Sequence, residues 1–245
     1  MASHDFRTPR LFVNAGLQAG AGLALDRDQA NYLQNVLRLA AGAAVLVFNG
    51  RDGEWRARLT GAKRRASLLV EERTRPQTAH GDLIYAFAPL KHARLDYMVQ
   101  KAVEMGAAAL APVLTQHAQA SRVNLARMRA NAIEAAEQCG VLAVPRVEEP
   151  LPFDRWLAAL SAERVIIFCD EEADTGDPLT VLAGAPVGPP VVLIGPEGGF
   201  TEAERRALLA RGRVVRLSLG PRILRADTAA VAALALVQAA RGDWR

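Results

Sequence analysis

Short apolar runs alternate with amphipathic segments over the second two-thirds of the chain. The runs predict buried strands at 83–88, 108–114, 165–168, 191–194 and 214–217. Apolar positions that recur every three or four residues predict intervening helices at about 94–105, 125–138, 201–210 and 226–240. Strands that alternate with helices in this way predict an α/β fold, with a parallel sheet and crossover helices.

The first 75 residues follow a different pattern. Strands are predicted at 10–13, 44–48, 54–59 and 66–70. One helix is predicted from Asp26 to about Leu39, and its apolar face consists of Tyr32, Leu33, Val36 and Leu37. Asn49-Gly50 and Asp52-Gly53 predict a hairpin, and Lys63-Arg64-Arg65 predicts a turn. The spacing favours a small β-barrel-like domain at 1–75, a linker at 73–82, and an α/β domain at 76–245.

Charge is unevenly distributed along this chain of 245 residues, whose net charge is +4. Residues 1–80 contain 12 basic and 7 acidic side chains, whereas the remainder is close to neutral. A basic small domain beside a near-neutral large one is typical of a polyanion-binding module attached to an enzyme, and an ordinary solvated surface is the alternative. The candidate contacts to an RNA backbone are Arg7, Arg10, Arg38 and Lys91.

The sequence gives little support for disulfides, for a metal site or for a membrane segment. Cys139 and Cys169 lie far apart, and His92 and His117 have no partners at metal-ligand spacing, so neither a disulfide framework nor a metal site is expected. No secretory leader opens the chain and no apolar run is long enough to span a bilayer, so we expect a cytoplasmic protein without a membrane partner.

Two Gly- and Pro-rich loops are the strongest candidates for a binding site. One follows the strand at 191–194 and reads Gly195-Pro196-Glu197-Gly198-Gly199; the other covers 217–225. Ligands of open α/β sheets bind at the carboxyl ends of strands, where both loops are predicted. The glycines do not match a dinucleotide or P-loop fingerprint, and Glu202 and Glu204 would repel a pyrophosphate. Backbone-rich loops suit a flat uncharged ring, such as the adenine of S-adenosylmethionine.

These loops carry a resemblance to a known family. Leu193–Phe200 and Leu217–Ala229, together with 94–106, 134–140 and 35–39, resemble the RsmE family of bacterial enzymes, which methylate N3 of a uridine in 16S ribosomal RNA. The resemblance implies a SPOUT-type sheet with a C-terminal trefoil knot, an N-terminal PUA-like RNA-binding domain, S-adenosylmethionine as cofactor, and a homodimer that acts on 16S rRNA or the small ribosomal subunit. One departure is Ala226-Asp227, where the family more often has Thr-Glu.

The resemblance also implies residue roles. The catalytic candidates are Arg225, which would stabilise negative charge on a uracil oxygen, Glu197 as a base or ribose ligand, and Arg222. The alternatives are a salt bridge of Arg225 to Asp227 or Glu197, a helix cap for Glu197, and an RNA-phosphate contact for Arg222. The residues expected to bind the cofactor are Leu193, Ile194, Gly195, Pro196, Glu197, Gly198, Gly199, Leu217, Leu219, Gly220, Ile223, Leu224 and Ala229.

Three other functions compete with this one. A SPOUT enzyme that methylates transfer RNA would share the chemistry. A non-catalytic RNA-binding protein is disfavoured by the intact glycine loops, and a nucleotide-dependent oxidoreductase is disfavoured by the missing GxGxxG pattern.

Overall fold

A computed structural model of the chain describes residues 5, 7–61, 66–79, 81–120, 122–173 and 176–244, except for the side chain of His92. The predicted turn Lys63-Arg64-Arg65 lies outside the described residues. The chain forms two compact units. One contains Met1–Ala79 and Ala136–Val144, and the other contains His80–Ala135 and Pro145–Arg245.

The first unit is built on a curled sheet. Its strands are β1 (Arg10–Phe12), β2 (Gly22–Ala24), β3 (Ala44–Phe48), β4 (Glu54–Thr60) and β5 (Ser67–Arg75), in the order β1-β3-β4-β5-β2. β1 pairs parallel with β3, and the other pairs are antiparallel. The predicted hairpin joins β3 to β4. β5 continues to Arg75, so the first part of the predicted linker is strand. β2 was not predicted because Leu23 is its one buried side chain, so no apolar run marks it.

The predicted helix at 26–39 is wrong beyond its first turn. Asp26 caps α1 (Arg27–Asn31) in a reciprocal capping box with Gln29. A π-helical turn, Tyr32–Val36, follows, in which the backbone N–H of Leu37 donates to the Tyr32 carbonyl. The wider turn breaks the 3.6-residue periodicity, so Val36, predicted to be buried, is 61% exposed.

The second unit contains a parallel sheet. Its strands are β6 (Ile84–Phe87), β7 (Ala109–Leu114), β8 (Arg146–Val147), β9 (Leu151–Pro152), β10 (Val165–Cys169), β11 (Pro190–Ile194) and β12 (Val214–Leu217). The order is β12-β10-β11-β6-β7-β8, and β9 also pairs with β7. Every pair is parallel, so all the carboxyl ends lie at one edge. The predicted parallel α/β sheet is confirmed.

The helices that accompany this sheet are α2 (His92–Glu104), α3 (Leu125–Cys139), α4 (Phe153–Ala159), α5 (Pro178–Ala183), α6 (Glu202–Leu209) and α7 (Ala226–Arg241). The four predicted helices are confirmed to within about two residues. α4 and α5 were missed, although Asp177 caps α5 and Pro178 occupies its first position, which is a recognisable start signal. No helix in the described part of the chain has the length and apolarity needed to cross a membrane.

Candidate active site

A cleft opens where β10, β11 and β12 end. Its volume is about 330 Å³, and it is lined by the loops that follow these three strands and by the first turns of α6 and α7. The two Gly/Pro loops predicted to meet at the sheet edge therefore do so. The predicted site residues that line this cleft are Ile194, Gly195, Pro196, Glu197, Gly199, Leu217, Leu219, Gly220, Arg222, Ile223, Leu224 and Ala229.

Three predicted residues do not line the cleft. Leu193 is fully buried in β11 and belongs to the core of the second unit. Gly198 packs against His117, where a Cβ would lie 3.3 Å from the His117 Cβ. Arg225 occupies the N-cap position of α7, and its exposed side chain forms no ion pair or hydrogen bond within the described ranges. The predicted alternative of a salt bridge for Arg225 is thus wrong for this structure.

Glycine is required in the first loop by close packing and by backbone conformation. A Cβ on Gly195 would lie 2.5 Å from the ring of Phe200, which packs edge-on against Phe168. Gly199 has φ +69°, a conformation that other residues seldom adopt. These features bring the backbone of the loop directly to the wall of the cleft.

Arg94, a residue without a predicted role, links the first loop to the start of α7. Its Nη1 lies 2.7 Å from Oε1 of Glu197, and its Nε lies 3.3 Å from Oδ2 of Asp227. The two carboxylates that were candidate partners of Arg225 thus bind an arginine of α2 instead. The signal available in sequence was an Arg in the first turn of a helix that follows a neighbouring strand.

Asp170 organises the loop that follows β10. Its side chain is almost fully buried and accepts hydrogen bonds from Arg205 of α6 and, at 2.6 Å, from Nε of Arg216. Burial opposes ionisation of Asp170, but the hydrogen bonds from these two arginines outweigh it and lower the pKa of the carboxyl. Burial, and after it the charge of Asp170, raises the pKa of the neighbouring Cys169 thiol to about 12, which favours the protonated thiol at neutral pH.

The capping box predicted at the start of α6 is present and has an additional partner. The Thr201 hydroxyl accepts from the Glu204 backbone N–H at 3.2 Å, and Glu204 Oε2 accepts from the Thr201 backbone N–H at 2.8 Å. Glu204 Oε1 also accepts from the backbone N–H of Gln116, at 2.9 Å. The next residue, His117, lies with Nδ1 at 3.1 Å from the Gly198 carbonyl oxygen, to which it donates.

The cleft has the chemistry that a cationic nucleoside needs. Five of its described lining residues are carboxylates, and two are arginines. Phe168, Ile194 and Leu217 add apolar side chains to the lining. S-adenosylmethionine carries a positive sulfonium, an ammonium and a carboxylate on its methionine part, and a flat adenine, with one net positive charge, so these residues fit it. Among the described residues, no cluster of His, Cys, Asp or Glu could hold a metal ion.

The predicted RNA contacts have different surroundings. Arg7, Arg38 and Lys91 are exposed. Arg38 has φ 55°, which is unusual for a residue with a side chain. The structure contradicts the RNA contact that was predicted for Arg10. Arg10 is only 8% exposed, pairs with buried Glu54 at 2.8 Å, and donates to the carbonyls of Glu137 and Val141 at 2.9 and 3.1 Å. A guanidinium with these partners is structural.

Known proteins share both the sequence and the fold. Residues 77–238 match the RNA methyltransferase domain family, and residues 25–72 match the RNA methyltransferase PUA domain family. The chain is 32% identical to a ribosomal RNA small subunit methyltransferase E from Synechocystis, covering 89% of this chain and 73% of the relative. It is 29% identical to the protein of the same name from Rickettsia conorii, covering 94% of each chain.

Two solved structures resemble the whole molecule. The ribosomal RNA small subunit methyltransferase E from Neisseria gonorrhoeae, bound to S-adenosyl methionine, has a TM-score of 0.86 and 28% identity, covering 98% of this chain and 100% of that chain. A putative methyltransferase from Legionella pneumophila, also in complex with S-adenosyl methionine, has a TM-score of 0.84 and 28% identity, covering 96% and 98%. The chain belongs to the RNA methyltransferase family, in the group of the ribosomal RNA small subunit methyltransferase E enzymes, with an N-terminal PUA domain.

Proposed function

We propose that this enzyme transfers a methyl group from S-adenosylmethionine to N3 of one uridine in 16S ribosomal RNA. The observation that carries the proposal is the cleft in which the two Gly- and Pro-rich loops meet at the carboxyl ends of the strands. The names of the relatives supply the RNA class, and the uracil N3 position comes from the motif resemblance in the two loops.

The residues proposed to hold the cofactor act mainly through their backbone. Gly195 and Gly199 line the cleft from the first loop, and Leu219, Ile223 and Leu224 line it from the second. The cofactor supplies an electrophilic methyl group on its sulfonium. The carboxylates around the cleft stabilise its positive charges, and the loops fix the direction of transfer, which matters most for an in-line displacement.

Arg225 is the proposed catalytic residue. Uracil N3 is a poor nucleophile until it loses its proton, and the resulting charge spreads onto the ring oxygens. A guanidinium that has no partner among the described residues, beside Leu224 of the cleft, is available to stabilise that charge. Glu197 is a weaker candidate base because it already binds Arg94, so we assign it to cofactor positioning. Arg222, exposed on the cleft wall, is proposed to meet an RNA phosphate.

The first domain, residues 1–75, is proposed to bind RNA, and residues 76–245 to catalyse the transfer. Arg38 supports this division, because a left-handed residue after a π-helical turn is a strained conformation of the kind that clusters at functional sites. With Arg7 it presents positive charge to the RNA backbone.

We also propose a homodimer, a trefoil knot in the second domain, and a cytoplasmic location, where ribosomal subunits are assembled. Ile223, an apolar cleft residue, is 92% exposed, which supports coverage by a second copy. Sedimentation equilibrium tests the dimer: a dimer mass that becomes monomeric on Ile223→Asp supports it, and a wild-type monomer contradicts it.

A reconstituted reaction tests the proposed function. Purified enzyme and S-adenosylmethionine are incubated with small ribosomal subunits from cells that lack the protein, with naked 16S RNA, and with transfer RNA. The nucleosides are then analysed by mass spectrometry. N3-methyluridine in either 16S substrate supports the proposal. Methylation confined to transfer RNA, or at another atom, would overturn it.

A further inference from the structure

A second cavity lies at the same edge of the sheet as the cleft. It has a volume of about 390 Å³ and is lined by residues that follow β6 and β7 and by the first turns of α2 and α3. None of its lining residues also lines the cleft. The methyl transfer proposed above leaves this cavity unused.

The walls of the second cavity are basic. Lys91, Arg122 and Arg127 contribute positive charges, and Asp96 is the one carboxylate among the described lining residues. Asp96 is already occupied, because it binds Arg127 with Nε at 2.9 Å from Oδ1. The exposed side chains of Lys91 and Arg122 form no ion pair or hydrogen bond with any residue that the structure describes. Two positive charges therefore remain available to an anion.

The floor of the cavity is apolar. Leu90 and Met128 are each 1% exposed and Leu95 is 9% exposed, and all three line it. A free inorganic anion would leave this apolar surface unused. A nucleotide uses both features, because its base packs on the apolar floor while its phosphate meets the two cations.

The second cavity and the cleft lie on two sides of one helical turn. Arg94 reaches Glu197 in the cleft, whereas Lys91 and Leu95, on the same turn of α2, line the second cavity. The side chains that reach the two sites therefore leave α2 within one helical turn, which is about 5.4 Å long. The two sites also differ in charge, since carboxylates predominate in the cleft and free cations in the second cavity.

We infer that the second cavity binds one unstacked nucleotide of the RNA strand beside the target uridine, with its base on Leu90, Leu95 and Met128 and its phosphate on Lys91 and Arg122. This inference rests on the proposed function. The cavity then holds the strand next to a uridine that must leave its stack before N3 becomes accessible.

A double substitution tests the inference without disturbing the apolar floor. Lys91→Gln with Arg122→Gln removes the two unpaired charges. The full-length enzyme is assayed on small subunits from cells that lack the protein. We expect KM for the subunits to rise about tenfold, because two charge-assisted phosphate contacts are lost, with kcat at saturation and Kd for S-adenosylmethionine unchanged.

The matched control is Arg129→Gln with Arg155→Gln, which removes the same charge from exposed helix positions outside the cavity. An equal rise of KM in the control would overturn the inference, because the effect would then reflect overall charge. An unchanged KM in the test variant, or a fall in kcat alone, would also overturn it. A wild-type enzyme that modifies no 16S RNA would instead contradict the proposed function, so the two failures are distinguishable.

Crosslinking provides a readout independent of activity. Ala120, on the cavity wall, is replaced by the photoreactive residue p-benzoylphenylalanine, and crosslinks to small subunits are mapped by primer extension. The inference requires a crosslink at a nucleotide adjacent to the methylated uridine. Crosslinks only at remote nucleotides, or none above the same substitution at Arg155, would contradict it.

Discussion

Arg94 shows how one side chain can organise a site without touching the reacting atoms. It binds Glu197 in the loop after β11 and Asp227 in the first turn of α7, so it holds together segments that are distant in sequence. A guanidinium suits this role because its planar fork offers several donors at once. We therefore regard Arg94 as a positioning residue for the loop after β11 and for the start of α7.

Substitution of Arg94 should weaken cofactor binding more than it slows the chemistry. We expect Arg94→Ala to raise Kd for S-adenosylmethionine about tenfold, because Glu197 and Asp227 would lose the cation that both of them bind and their two segments would no longer be held together. Arg94→Lys should recover part of the affinity, since it restores the charge but not the forked geometry. Isothermal titration calorimetry measures both, and a wild-type Kd for Arg94→Ala would refute the positioning role.

Arg10 illustrates the opposite case, because its sequence context indicated RNA and its environment indicates structure. It is packed 4.4 Å from the centre of the Phe48 ring and bound to Glu54 inside the first unit. Burial lowers the pKa of its guanidinium, although hydrogen bonding to Glu54 acts in the other direction. A basic residue in a basic domain is thus not sufficient evidence of an RNA contact.

Arg10→Ala should destabilise the protein by about 3–5 kcal/mol, because it leaves the buried Glu54 carboxylate without its closest charged partner. Arg7→Ala, at an exposed site, should change the free energy of unfolding by less than about 0.5 kcal/mol. Urea denaturation followed by circular dichroism compares the two variants. Equal stability of Arg10→Ala and the wild type would show that the buried pair is not structural.

At the scale of helices and strands, the loops that follow the parallel strands supply the residues that line the cleft. Asp170 follows β10, takes hydrogen bonds from Arg205 in α6 and Arg216 in β12, and so connects three elements around the cleft. Its ionised form is favoured in the folded state, because these hydrogen bonds lower the pKa of the carboxyl despite its burial. A depressed pKa in the folded state links stability to pH.

The direction in which stability changes with pH can be tested. Above the unfolded pKa of about 3.9 the full contribution of Asp170 to stability is present, and it is lost as pH falls through the lower folded pKa. Asp170→Asn should therefore unfold at lower urea concentration than the wild type at pH 7, and the difference should shrink below about pH 4. A difference that is independent of pH would mean that Asp170 acts through packing alone.

Many of the helices and strands could be predicted from the sequence, and the features that were missed have physical causes. Apolar runs such as Val191–Ile194 and the capping box at Thr201 and Glu204 are local signals, so the strand and the helix start were predicted correctly. The π-helical turn and the two-residue strands β8 and β9 have no periodicity to detect. The pairing of Arg94 with Glu197 joins residues far apart in the chain, which no local pattern reveals.

At the scale of the whole molecule, the cleft and the second cavity differ in the charge of the residues that line them. The carboxylate-rich cleft suits a cationic methyl donor, and the basic second cavity suits a polyanion. RNA affinity that depends on phosphate contacts falls steeply with salt, because binding releases counterions. Binding of a small donor with one net positive charge releases few counterions, so it depends much less on salt.

We therefore expect different salt responses for the two substrates. An increase from about 50 to 200 mM salt should weaken the binding of 16S RNA at least about tenfold and change Kd for S-adenosylmethionine less than about threefold. Filter binding of labelled RNA and calorimetry of the cofactor give the two values. Similar salt dependence for both ligands would contradict the division of charge between the cavities.

The central claim is tested most directly by mapping modified uridines in 16S RNA by mass spectrometry. The RNA comes from cells lacking the protein and from the same cells carrying a wild-type or an Arg225→Ala copy. We predict that N3-methyluridine is absent at one position without the protein and restored by the wild-type copy. The Arg225→Ala copy should restore little of it, because loss of one charge-stabilising group costs about 10²–10³ in kcat. An unchanged modification pattern in cells lacking the protein would contradict the account.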